Sequence, residues 1–390
     1  MSNLQNRRGA IIIEGHVQGL ANTRALGEAG IPVVVVDKEE CVASSSKYCN
    51  NFFLSPDFLT DEFIDFLIDL AQNKDLFGWT LIPSNDHAVF NISKNINIIK
   101  KYFKTTIPDL DIIGLIYDKS MLLKLAEKIK IPIPKTIYFE DAENISDCQL
   151  EYPLLTKGRT GLSFYQKMKK KALLADDKEK LSIQLREIAE KMPLNQTFTQ
   201  ELIPFDGTNK TISLAAFCID GEIKTYWMGV KLREHPIQFG TATFTESVHI
   251  EDCLQHSKKI LKKLNYSGVC EVEFLQDPRD QQYKLIEINA RTWLWVGHAI
   301  ASGINFPLYI HQYVNQIEIE YPKMYKQGLK WKNPITDLVY SFIAIIKGDM
   351  KLRNYLKNNQ GEVVSALWDS KDKKPFFIYI KMIFKFLKNR

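Results

Sequence analysis

Glu271-Val272-Glu273-Phe274 alternates with period two, so Glu271 and Glu273 share one face of a strand while Val272 and Phe274 share the other. Leu285-Ile286-Glu287-Ile288-Asn289-Ala290-Arg291 alternates in the same way and puts Glu287, Asn289 and Arg291 on one face. The polar turn between the two stretches, Gln276 to Gln282, suits an antiparallel hairpin that brings Glu273 close to Glu287 and Asn289. Two carboxylates and an amide oxygen make a hard-oxygen site suited to Mg²⁺. Arg291, two residues on, can hold a phosphate or a carboxylate bidentately. A solvent-facing strand pair would show the same alternation. Two lysines at element ends argue for more: Lys119 follows Asp118 before a helical stretch, and Lys157 closes the run Tyr152 to Thr156. Gln200-Glu201-Leu202-Ile203-Pro204 ends a further strand-like run.

The elements that must position these groups are legible from patterning. Ala10–Ile13 reads as a strand, Leu20–Ala29 as a helix stopped by Gly30, and Ile31–Val36 as a second strand, together a βαβ unit. A helix over 60–72 and a strand at Trp79–Pro83 extend it. Asp118–Ile129 reads as a helix with Asp118 near its start as a cap, broken by Ile131-Pro132-Ile133-Pro134. Residues 152–157 and 163–168 read as two strands around Gly158–Gly161, and 177–191 as a charged helix. Thr197–Ile203, Ser213–Ile219, Glu222–Val230, Gly268–Leu275 and Tyr283–Ile288 read as strands, with Asp220-Gly221 as a hairpin turn. Residues 316–390 are basic and aromatic with helical periodicity.

The order Asp118-Lys119, Lys157, Gln200-Glu201, Glu273, then Glu287-Ile288-Asn289-Ala290-Arg291 resembles the ATP-grasp superfamily, to which biotin carboxylase and the D-alanine and D-aspartate ligases belong. The resemblance runs from about residue 10 to residue 315, and Glu287–Arg291 is its most specific part, close to a Glu-x-Asn-x-Arg metal strand. It implies an α/β and α+β chain: an open α/β domain over 1–115, a small lid subdomain over 116–200, a large subdomain with the metal site over 201–315, and a helical tail over 316–390. By the same resemblance Lys119 and Lys157 bind the phosphates of ATP, Glu201, Leu202 and Ile203 form the hinge that reads adenine, and Asp206 reaches the ribose. Gly158 and Gly161 give backbone N–H groups to phosphate in a short lid loop. Glu273 and Glu287 are the metal carboxylates, Glu287 bridging two Mg²⁺ (or Mn²⁺) ions, and Asn289 is a further ligand. Arg291 steadies an acyl phosphate, and Arg233, in Lys231-Leu232-Arg233-Glu234-His235-Pro236, faces the transferred phosphate or the substrate. Glu271 stands where the D-alanine ligases carry an arginine. The implied activity is an ATP-dependent ligation of a carboxylate to an amine, with an amino acid as one substrate. A nucleotide sensor without catalysis and a bicarbonate-using carboxylase are the alternatives.

Composition narrows the classes. The net charge of +5 fits an anionic ligand such as a nucleotide, and no aromatic-interleaved basic stripe marks nucleic acid. Glu14-Gly15-His16-Val17-Gln18-Gly19 lacks the GxGxxG spacing of a dinucleotide fold. Six cysteines without a CxxC pair read as reduced thiols, and the short apolar run ending at Glu14 is no signal peptide; both fit a cytoplasmic protein, alone or as an oligomer. The histidines show no zinc spacing. His235 and His298 read as structural more readily than as substrate contacts, while Trp293 and Trp295 suit either a core or an acceptor pocket. Pro375–Arg390 is amphipathic and basic, suited to a last helix docked on the core or, as the second reading, to weak contact with a membrane surface.

Overall fold

Ala10-Ile11-Ile12-Ile13 and Val33-Val34-Val35-Val36 are apolar at every position, as strands covered on both faces must be. The computed structural model, which describes residues 8–139, 150–205, 207, 209–235, 240–348, 350–358 and 360–388, bears this out. Strands β1 (Ala10–Ile13), β2 (Val33–Asp37), β3 (Cys49–Leu54) and β4 (Thr80–Pro83) form a parallel sheet in the order β3-β2-β1-β4. Helix α1 (Val17–Glu28) links β1 to β2, and α2 (Asp61–Asn73) precedes β4. Four short helices follow: α3 (Asp86–Lys94), α4 (Ile96–Tyr102), α5 (Leu110–Tyr117) and α6 (Lys119–Lys128). The strand order reverses at β1, so a crevice opens beyond the carboxyl ends of β1 and β4.

A second sheet, order β5-β8-β6-β7, contains β5 (Thr136–Ile137), β6 (Leu154–Gly158), β7 (Leu173–Ala175) and β8 (Thr197–Glu201). Helices α7 (Gly161–Met168) and α8 (Lys178–Lys191) cover it. Phe139, Leu154, Phe164, Leu181 and Leu185 form a core of their own here, separate from the rest of the molecule. The expected strand at 163–168 is a helix. Phe164 and Met168, four apart, both bury against this core, while Gln166, which an extended chain would turn to the same side, is exposed. The partner strand lies further on, at β7.

The third sheet holds seven strands, β13-β12-β9-β10-β11-β14-β15. These are β9 (Thr211–Ile219), β10 (Glu222–His235), β11 (Thr241–Ser247), β12 (Gly268–Gln276), β13 (Tyr283–Asn289), β14 (Lys330–Lys332) and β15 (Val363–Ser365). Asp220 and Gly221 take φ of 50° and 78°, the left-handed pair that a two-residue hairpin requires. Helices α9 (Glu251–Lys263), α10 (Val296–Ala301), α11 (Phe306–Val314), α12 (Pro334–Lys347), α13 (Leu352–Asn358) and α14 (Lys374–Lys388) complete the chain. Residues 316–390 are therefore not wholly helical. Trp331 is buried on β14, which extends the large sheet from β11, and β15 pairs with β14 in parallel.

Two cores share the first and third sheets. Ile11, Ile13, Leu214, Val272 and Phe274 belong to one, and Ile12, Val35, Phe217, Trp227 and Trp293 to the other. The alternation along β12 sends Cys270, Val272 and Phe274 into the first core and turns Glu271 and Glu273 the opposite way.

Candidate active site

The hairpin forms with Glu273 opposite Glu287 and Glu271 opposite Asn289. On its other side β12 pairs with β9, where Ser213 and Ala215, both small, oppose Glu273 and Glu271. Asn289 Nδ2 donates to Glu271 Oε2 at 3.0 Å, while Glu271 Oε1 is buried without a partner. Burial, then the charge of Glu273, pushes the Glu271 carboxyl up to about 7. Lys231 reaches across from β10 to Glu273 Oε2 at 2.7 Å. Burial works against its charge, but Glu273 and Glu234 hold it protonated.

Lys119 opens α6, where Asp118 caps the helix by accepting from the N–H groups of Ser120 and Met121. Its Nζ donates to Glu287 Oε2 at 2.6 Å. That ammonium is the largest influence on Glu287 and holds its carboxyl down at about 2. Lys157, on β6, has Gln200 Oε1 at 3.5 Å; burial first, and the Lys119 charge second, draw it down to about 8. Asp118 also accepts from Arg159 Nε at 2.8 Å, and the Lys119 N–H donates to the Arg159 carbonyl at 2.9 Å. The turn that follows β6 is thus latched to the start of α6. Within it a Cβ on Gly158 would lie 2.3 Å from the Cβ of Phe164, whereas Gly161 faces open space.

Arg291 donates to both oxygens of Asp86, Nε to Oδ1 and an η-nitrogen to Oδ2, each at 2.8 Å. A third contact, to Asn289 Oδ1 at 3.3 Å, ties it to the end of β13. Asp86 starts α3 beyond the end of β4, in the crevice at the strand-order reversal. Glu14, just beyond β1, sits in the same crevice with φ of 73°; it accepts from Asn85 at 2.7 Å and Gln18 at 2.8 Å, and burial raises its pKa.

Arg233 is placed differently from expectation. It forms a two-point ion pair with the buried Asp337 of α12, at 2.7 and 2.8 Å, and stacks over Phe244. Strict alternation would put Arg233 on the face of Lys231. Irregularities in the β10–β11 ladder on both sides of Arg233 break that alternation and turn the guanidinium away. Arg291 and Arg233 are therefore held by different carboxylates.

At the end of β8, the N–H groups of Glu201 and Leu202 bond to the carbonyls of Lys135 and Pro153, and Ile203 is buried. The Glu201 carboxylate accepts from Arg279 at 3.1 Å, and Arg279 in turn grips Asp277 in the turn between β12 and β13. This pairing joins the end of β8 to the β12–β13 hairpin. Asp206 and Pro236 lie outside the described residues, as does the side chain of His235. Trp293 and Trp295 pack around Trp227, and His298 is buried between Thr245 and the Leu329 carbonyl, its pKa drawn down to about 3 by burial. These three residues are core.

Sequence reasoning missed Lys231, Asp86, Glu14 and Arg159 as members of this site. Asp86 and Glu14 carried a usable signal, since both follow strands of an open parallel sheet, where ligands gather. Among the described residues no three His, Cys, Asp or Glu side chains gather as a metal cluster. The expected set has two carboxylates and one amide, and both carboxylates are occupied by lysines.

Residues 235–312 match the family model of the carbamoyl-phosphate synthase L chain, ATP-binding domain. D-aspartate ligase of Enterococcus faecium (strain Aus0004) is 23% identical over 261 residues, covering 64% of this chain and 62% of that protein. The fold is similar to N5-carboxyaminoimidazole synthetase from Staphylococcus aureus complexed with ADP, with a TM-score of 0.63 at 16% identity, covering 82% of this chain and 80% of that one. It is also similar to L-amino acid ligase from Bacillus licheniformis, with a TM-score of 0.59 at 16% identity, covering 79% and 74%. The chain thus has ATP-grasp relatives and shares their fold.

Proposed function

We propose that this protein is an ATP-dependent ligase that joins a carboxylate to an amine, one of them from an amino acid. The observation that carries the reading is the crossed pairing of Lys119 with Glu287 and Lys231 with Glu273, with Lys157 beside them. Four of these five charges neutralise one another, and each partner is suited to a different part of a metal–nucleotide complex: carboxylates to cations, ammonium groups to phosphates.

The donors fit divalent cations. Glu273 and Glu287 face each other in register, and Glu271 keeps a buried oxygen without a partner. Glu273, Glu287 and Asn289 would hold two Mg²⁺ or Mn²⁺ ions, with Glu287 shared. Such ions supply charge neutralisation for the phosphates. Lys119 and Lys157, released from carboxylates and burial, take the phosphates of ATP. The self-contained β5–β8 unit acts as the lid, with the backbone at Gly158 and Gly161 turned to phosphate. Adenine lies against Glu201, Leu202 and Ile203.

The substrate carboxylate attacks the γ-phosphate and ADP leaves. Arg291, oriented by Asp86, faces the acyl phosphate. The amine then attacks the acyl carbon, phosphate departs and an amide remains. Arg233, closed against Asp337, fixes β10 and hence Lys231 rather than meeting phosphate. The D-aspartate ligase and L-amino acid ligase relatives support an amino acid as one substrate. The test is ADP release over a matrix of amino acids and small carboxylic acids. Release that rises only when an acid and an amine are both present supports a ligase; release indifferent to every pair rejects it.

A further inference from the structure

Helix α12 is amphipathic the wrong way round for a helix packed on a core. Asp337, Ser341 and Ala344 are its buried residues. Leu338, Val339, Phe342, Ile343 and Ile346 are exposed, Phe342 at 62% and Ile346 at 69%. The inward face is fixed by polar bonds: Asp337 to Arg233, and Thr336 to the hydroxyl of Tyr379 on α14. The next helix, α13, exposes Leu352 and Leu356, four apart, beside exposed Lys351 and Arg353. On α14 the side opposite Tyr379 carries Phe377, Lys381 and Phe384, all exposed. Trp368 is 46% exposed against Phe376 and Phe377. Apolar side chains exposed on three neighbouring helices exceed what a monomer's surface needs and mark a site of contact.

Charge selects the contact. Fifteen lysines and arginines against seven acidic residues give residues 316–390 a net +8, while the whole chain carries +5, so the remainder is net negative. Two of those seven acids, Asp337 and Asp372, are buried and paired to Arg233 and Arg24. Among the described residues no helix is long and apolar enough to cross a membrane. Exposed aliphatic and aromatic groups with interspersed lysines are the pattern of a helix lying in the headgroup region of a bilayer. We propose that α12, α13 and α14 together dock this protein on an anionic phospholipid surface. The phenyl and aliphatic groups enter the interface, and Lys351, Arg353, Lys373, Lys374 and Lys381 meet the headgroups.

The proposal stands apart from the ligase reading, so it is tested without nucleotide. The full-length protein is sedimented with vesicles of phosphatidylcholine alone and of phosphatidylcholine with 30% phosphatidylglycerol. It should partition onto the anionic vesicles at least tenfold better, and 0.5 M salt should reverse most of that. Phe342→Glu with Ile346→Glu should cut the partition about tenfold or more without changing the melting temperature, since both side chains are exposed. Lys373→Glu with Lys374→Glu and Lys381→Glu should abolish the preference for anionic vesicles. Sedimentation with neither vesicle overturns the proposal, as does equal binding to both. Concentration-dependent self-association that Phe342→Glu breaks, with no vesicle binding, assigns the face to a second copy and overturns it as well.

Discussion

Lys119 and Glu287 lie 168 positions apart in the chain, yet the ammonium of one is 2.6 Å from the carboxylate of the other. The pair joins the start of a helix to the strand read from sequence as the metal strand, and both side chains are only partly buried. Its contribution to stability is therefore small, roughly 1 kcal/mol or less. On the proposed function the pair would open on binding, because a cation at Glu287 and a phosphate at Lys119 would each take the other's place.

Glu287→Gln follows from this directly. It removes the charge expected to bridge two cations while keeping the size of the side chain. Mg²⁺-dependent ADP release should fall by at least about 10³-fold, with the melting temperature of the free protein little changed. Steady-state turnover beside a thermal melt checks both halves, and near-wild-type turnover contradicts the assignment.

Lys157 titrates near 8 in the free protein because burial and Lys119 disfavour its charge. Phosphate would favour the charge, so ATP binding at pH 8–9 should take up a proton. Calorimetry in buffers of different ionisation enthalpy reads that uptake. Lys157→Met should abolish it and weaken ATP by about tenfold or more while leaving adenosine unchanged. Equal losses for both ligands would remove Lys157 from the phosphate site.

Glu271 predicts a pH dependence of stability. Its folded-state pKa, about 7, lies above its ordinary value of 4.5, so the folded protein holds the proton more tightly than the unfolded chain. The resulting stability is fully present below about pH 4.5 and is lost as pH rises towards 7. Glu271→Gln should flatten the melting temperature over that window. Added Mg²⁺, by favouring the carboxylate, should flatten it in the wild type. A slope identical in all three would show that Glu271 is not the group responsible.

Much of this site was legible in the sequence, for one physical reason: strand alternation has period two, so Glu271 and Glu273 share a face of their strand, and Glu287 and Asn289 a face of theirs, by parity; the register that sets Glu273 opposite Glu287 was not, because the ladder is irregular between Glu273 and Phe274. Asp118 was likewise readable as a cap, and Asp220-Gly221 as a turn. Arg233 was not, because the irregularities beside it break parity and no residue type announces them. Residues 163–168 misled because Phe164 and Met168 serve a helix as readily as a short apolar strand. The strands at Lys330–Lys332 and Val363–Ser365 owe their form to the edge of a sheet built far upstream. The pairing of Arg291 with Asp86 spans 205 positions and depends on how the first and third sheets meet.

That pairing yields a prediction of its own. Asp86→Asn should leave ATP binding intact and reduce kcat/KM for the carboxylate substrate by about 10- to 100-fold, because Arg291 loses the partner that orients it. Arg291→Lys should not rescue activity, since a point charge cannot reproduce the two-point geometry. Unchanged kinetics in Asp86→Asn would mean that Arg291 is positioned by other groups.

The central claim is that an acyl phosphate forms before the amine attacks. Hydroxylamine capture under single-turnover conditions tests it most directly, with enzyme in excess over labelled ATP and the carboxylate found by the ADP-release screen. A hydroxamate formed in step with ADP, and lost in Arg291→Ala while ATP still binds, is the predicted result. ADP appearing without hydroxamate, or a stable phosphorylated acid that no amine consumes, would contradict the account.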